Sequence, residues 1–145
     1  MPLWIGAPDY LINVLQVQQL NAARTVCGYQ SYYWSTTKLL NTCGWLSIKQ
    51  QMFASTVSMA HNIVKSGVPR NIYSTLVTQY PYRTRQATKG DIRSIVNPDN
   101  HISTKTFKYQ ARIWYNQLPT NLRQMEKKRF KSELKKWVKE HIPIR

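Results

Sequence analysis

The residue order predicts a mainly α-helical protein: a small helical bundle with a long irregular central segment and a C-terminal basic amphipathic helix. Three observations carry that expectation. Apolar residues recur every three or four positions through most of the chain, punctuated by serine starts and glycine stops. The stretch 79–102 loses this periodicity and is built of Tyr, Pro, Arg, Thr, Gly, Asp and Asn. The last stretch restores it, with lysines four apart on the side away from its large apolar residues. The resulting division is a helical N-terminal bundle over 1–78, an irregular basic segment over 79–102 and a C-terminal helical hairpin over 103–145, which packs on the bundle as one compact unit.

Asp9 is placed to cap a first helix, whose apolar positions are Leu11, Ile12, Leu15, Ala22, Ala23 and Val26; Gly28 ends it. Tyr29 to Trp34 is an aromatic connection, either filling a core or forming an exposed stacking or docking surface. Ser35 or Thr36 starts a short helix through Leu39 and Leu40 that stops at Gly44. Ser47-Ile48-Lys49-Gln50 reads as a capping box, the serine hydroxyl and the glutamine side chain each satisfying an orphan backbone N–H. The helix behind it runs through Met52, Phe53, Thr56, Met59, Ala60 and Ile63 to Gly67. Pro69 opens a further turn or two, with Ile72, Tyr73 and Leu76 inward. After the irregular segment, Phe107, Ala111, Trp114 and Leu118 share one helical face, and Pro119 stops that helix. A final helix from about Glu126 to Glu140 places Phe130, Leu134, Trp137 and Val138 on one side. Trp45 and Trp114 are both expected in the core.

The chain of 145 residues carries a formal net charge of +15, unevenly spread. Up to Tyr80, five Lys and Arg oppose one acid; beyond it sixteen oppose five. So basic a segment repels itself unless an anionic partner covers it, and nucleic acid is the commonest such partner. An apolar content of 42%, with five Trp and nine Tyr, argues for a folded chain. No apolar run has the length of a membrane span, and the first residues fit neither a signal peptide nor a mitochondrial presequence. The expectation is an intracellular protein of nucleus or cytoplasm, organelles staying open. Cys27 and Cys43 are expected as free thiols in a reducing compartment.

Enzyme chemistry finds no support in the pattern. The six acids do not pair at a two-carboxylate spacing, and His61, His101 and His141 lie far apart, without a Cys or acid at metal-ligand spacing. His61 is expected as a partly buried polar residue on a helix. No metal and no cofactor are expected, and no catalytic residue is assigned.

Binding candidates are easier to name. In an extended strand Arg83 and Arg85 would face one partner, with Tyr80 and Tyr82 on the same side to stack on bases or on the arginines. The alternative is that these arginines pin the segment to helix C-termini or backbone carbonyls. Lys127, Lys131, Lys135 and Lys139, joined by Lys128, form a stripe that either meets phosphates or is a solvated face. Arg93, Lys105, Lys108 and Arg112 complete the expected phosphate-binding set.

Several segments, in this order, resemble the C-terminal region of non-LTR (LINE-type) retrotransposon reverse transcriptases. They are Leu20-Asn21-Ala22-Ala23-Arg24, Cys43-Gly44-Trp45-Leu46-Ser47-Ile48-Lys49-Gln50, Tyr82-Arg83-Thr84-Arg85, Phe107 through Pro119, and Phe130-Lys131-Ser132-Glu133-Leu134-Lys135-Lys136-Trp137-Val138. The ordered set covers nearly the whole chain. The resemblance implies a mostly helical, basic accessory module downstream of the polymerase core that contacts template RNA or target DNA. It does not imply polymerase activity, because the family's catalytic turn carries adjacent aspartates and this chain has none. The chain thus resembles the tail of such an enzyme standing alone.

The combined expectation is a non-catalytic nucleic-acid-binding module, with RNA favoured over DNA because no recognition helix groups base-reading residues at its start. A structural subunit of a larger ribonucleoprotein, alongside other proteins, and a docking module for an acidic protein remain the alternatives.

Overall fold

The structure, a computed structural model, describes residues 2–77, 92 and 103–144. Seven α-helices lie among them: α1 Asp9–Cys27, α2 Thr36–Cys43, α3 Ile48–Ser66, α4 Arg70–Leu76, α5 Phe107–Gln117, α6 Thr120–Gln124 and α7 Lys127–His141. Short 3-10 turns occupy Pro2–Gly6, Tyr29–Tyr33 and Ser103–Lys105, and no strand occurs among the described residues. The mainly α class read from the sequence is the class observed.

Helix α3 is the centre. It packs against α1, α4, α5, α7 and the first 3-10 turn. Its start is the capping box: Ser47 Oγ accepts the Gln50 N–H at 3.3 Å and Gln50 Oε1 accepts the Ser47 N–H at 3.0 Å. Gln50 does a second job, because its Nε2 donates to the Ile142 carbonyl at 2.8 Å and so ties the tail beyond α7 to the start of α3. At the other end Gly67 adopts the left-handed conformation at φ 67°, as Gly44 does at φ 68° after α2, a geometry costly for side chains with a Cβ.

The main core forms where one face of α3 meets α5 and α7. Phe53, Val57, Ala60 and Ile63 interlock with Leu76, Ala111, Tyr115, Leu118, Phe130, Leu134 and Val138. His61 is enclosed in it. The ring stacks on Phe130 at 3.8 Å between centroids, and Nε2–H donates to the Met125 carbonyl at 3.1 Å. Burial holds its pKa below the ordinary histidine value, against a smaller opposing effect of that hydrogen bond. A smaller core lies on the other side of α3, where Ile48 and Met52 meet Ile12 of α1.

Several expectations change. Asp9 lies in the first turn of α1 behind Pro8, with no side-chain cap, and pairs with Lys49 at 3.7 Å across an exposed surface. The inward stripe of α1 is not its most apolar one. Ile12 and Ala23 are buried, but Leu11, Ala22 and Val26 are exposed. Between them Leu15 packs on the small core, and two partly buried glutamines share the face: Gln16 Oε1 accepts the Ile48 N–H at 2.9 Å, and Gln19 Nε2 donates to the Leu46 carbonyl at 2.8 Å. These two bonds satisfy backbone groups of the α2–α3 connection, which explains why polar side chains hold places on that face beside Ile12 and Leu15. Met59 is likewise on the surface, and Trp45 and Trp114 are half-buried, Trp114 lying 5.2 Å from Phe53 at the core's edge. Pro119 ends α5 and also opens the short α6, an element not read from the sequence. Cys27 and Cys43 are free thiols, as expected, and their sulfurs share a hydrogen bond at 3.2 Å.

Candidate nucleic-acid interface

The sequence of α7 separates three kinds of residue by angle. Phe130, Leu134 and Val138, spaced four apart, are buried against α3. At 100° per residue, Lys128, Lys131, Lys135 and Lys139 fall within about 80° of one another on one flank of that apolar line. Glu133 and Glu140 lie on the opposite flank, about 20° apart by the same geometry. All four lysines are exposed, as is Lys127 in the first turn. From Lys127 to Lys139 the axis rises about 18 Å. The result is a row of solvated ammonium groups with the helix's own acids turned away.

The far flank is internally neutralised. Lys136 donates to Glu133 Oε1 at 2.8 Å, and that hydrogen bond raises the lysine's pKa. Among the described contacts no such acid serves the lysine flank. Toward α3 this flank borders an open groove, in which Lys131, Ser132 and Lys135 face Ser55, Ser58, Met59 and Asn62. Hydroxyl and amide groups beside two ammonium groups are the donors that phosphate and sugar oxygens accept from.

Of the other expected phosphate contacts, Lys105 and Lys108 are exposed, but on the 3-10 turn before α5 and on α5 itself. Arg112 must be withdrawn. It is only 3% exposed, and its guanidinium points into the protein. Nε donates to the Leu76 carbonyl at 2.9 Å and Nη2 to the Thr75 carbonyl. It therefore satisfies the last carbonyls of α4, the kind of role that the pattern offers Arg83 and Arg85. A planar fork of donors suits two adjacent carbonyls, so this arginine is structural. Tyr82, Arg83, Arg85 and Arg93, with Tyr80, lie outside the described residues. Within that stretch Ile92 is described: it is buried, and Asn116 both accepts its N–H at 2.9 Å and donates to its carbonyl at 2.6 Å.

Among the described residues no group of three His, Cys, Asp or Glu side chains could hold a metal ion, and no helix is long and apolar enough to cross a membrane. None of the family models, curated proteins or solved structures compared with the chain matches it.

Proposed function

We propose that the chain is a non-catalytic nucleic-acid-binding module that grips phosphates through the lysine flank of α7, with RNA preferred to duplex DNA. The observation that supports this reading is the segregation of charge on that helix. A solvated face that merely kept the helix soluble would be served equally well by lysines and glutamates intermixed, as they are on the other flank. Four exposed lysines on one flank, two of which (Lys131 and Lys135) border a groove that also carries serine hydroxyls and the Asn62 amide, suit a polyanion instead. The grip is electrostatic, so it positions a partner without reading its sequence. The preference for RNA rests on the helices among the described residues, none of which groups base-reading side chains at its start for a major groove. The ordered resemblance to retrotransposon reverse transcriptase C-terminal regions agrees with this reading and supplies its proposed ancestry.

Binding to structured RNA, single-stranded RNA and DNA, and duplex DNA across a salt series tests the proposal. With six to ten phosphates engaged, log K falls against log salt with a slope of roughly −4 to −9, and structured RNA ranks first. Weak binding to all four that ignores salt would overturn the reading.

A further inference from the structure

The 3-10 turn between α1 and α2 presents three tyrosines to solvent within five residues. Tyr29 is 79% exposed, Tyr32 64% and Tyr33 84%, far more than rings of this size show when they serve a core. The turn beneath them is nonetheless firmly built. Ser31, at its centre, is wholly buried, and its hydroxyl donates toward the carbonyls of Gly28 and Arg24. Its backbone carbonyl accepts the Trp34 N–H at 3.1 Å, closing the turn. Tyr29 and Tyr32 approach to 5.9 Å between centroids at a 50° tilt, leaving ring faces uncovered. Beside them the Lys38 ammonium sits 4.6 Å from the centre of the Trp34 ring.

We infer that Tyr29, Tyr32 and Tyr33 form a stacking platform for unpaired nucleobases, with Lys38 beside it for the strand's phosphates. This inference deepens the proposed function and rests on it. The occupant follows from charge. Between Asp9 and Asp91 the sequence contains no acidic residue, so the turn itself, α2 and all of α1 beyond its first residue bring no negative side chain to the platform. A second copy of a chain with net charge +15 is repelled from such a surface, whereas a polyanion carrying flat apolar rings is attracted to it. Exposed aromatic side chains fixed on a rigid turn with cations alongside are the elements that hold single strands without sequence preference. Stacking and phosphate contact would then lie on different elements, the turn and α7.

The test compares the full chain's binding to twelve-residue oligouridylate and oligothymidylate with its binding to an abasic DNA strand of the same length. The abasic strand keeps the phosphates and removes the bases. Wild type should prefer the base-bearing strands, and Y29L/Y32L/Y33L should lose that preference, each lost stack weakening binding roughly five- to a hundredfold. Because these side chains are exposed, helicity by circular dichroism should not change, and the slope against salt should stay as it was. The ribose and deoxyribose arms show which backbone the platform favours. Equal binding of base-bearing and abasic strands, or a preference that survives in the leucine variant, would overturn this inference and leave the phosphate reading intact. Salt-dependent loss of all binding only on substituting the α7 lysines is the separate signature of that reading. Absence of any binding to all three strands at low salt would overturn this inference, and together with absence of binding to structured RNA and duplex DNA it would overturn the phosphate reading as well. A leucine-sensitive shift in sedimentation without nucleic acid would make the platform a self-association surface and also overturn the inference.

Discussion

The α3–α5–α7 side of the molecule and the α1–α2 corner use their residues in opposite ways. On the first side large apolar side chains turn inward, Phe130, Leu134 and Val138 are each at most 1% exposed, and the lysines of α7 are left on the surface. At the corner the inward face of α1 mixes Ile12, Leu15 and Ala23 with glutamines, while Tyr10, Val14, Val17 and Val26 each remain more than half exposed. The contrast teaches that burial here follows backbone hydrogen-bond demand as much as hydropathy. On the proposed function it would also separate two modes of holding a polyanion, one by charge and one by rings.

Cavity-forming substitutions should expose the difference most strongly. Phe130→Ala removes a ring stacked on His61 and should cost about 3–5 kcal/mol, whereas Ile12→Ala in the small core should cost nearer 2 kcal/mol. Urea unfolding of both variants checks this, and equal losses would break the distinction. Next comes Arg112→Ala, expected to cost about 2–3 kcal/mol because it orphans the ends of α4. Arg112→Lys should restore little, since an ammonium cannot span both carbonyls. Thermal melts decide it; a harmless Arg112→Ala would return that residue to the surface set.

The two serine caps sharpen the same comparison at smaller scale. Ser47, buried and reciprocated by Gln50, should lose about 1 kcal/mol or more on replacement by alanine. Ser35, exposed and unreciprocated, should lose about 0.5 kcal/mol. The smallest effect is that of pH through His61. Its folded pKa is depressed, so the unfolded chain takes up its proton first as pH falls. Its contribution is complete above the unfolded value of about 6.5 and is lost as pH falls from there through the folded pKa. His61→Gln should flatten that part of the stability profile, measured by urea midpoints from pH 7.5 to 5.

Much of the fold was legible because its signals are local. The capping box at Ser47 and the stops at Gly44 and Gly67 depend on a few consecutive residues, and the amphipathic α7 on spacing within one helix. What the sequence did not disclose depends on partners far along the chain. Arg112 looked like any exposed cation until α4 ended beside it, with Leu76 thirty-six residues away. Nothing in their local sequence marks Gln16 and Gln19 as inward; the distant α2–α3 connection requires their donors and acceptors. The lysine stripe was legible, but its separation from Glu133 and Glu140 matters only because Leu134 fixes which way the helix faces. The aromatic run was legible as unusual, yet its exposure depends on Ser31, a small residue, taking the buried place.

The most direct measurement compares two sets of charge removals on the same helix in RNA-binding salt series. Replacing Lys128, Lys131, Lys135 and Lys139 with glutamine should reduce the slope of log K against log salt by about 3. Replacing Arg129 and Lys136, on the flank of Glu133 and Glu140, should reduce it by less than about 1. That difference would establish one flank of α7 as the interface. Slopes that fall in simple proportion to the charges removed, whichever flank they come from, would contradict it.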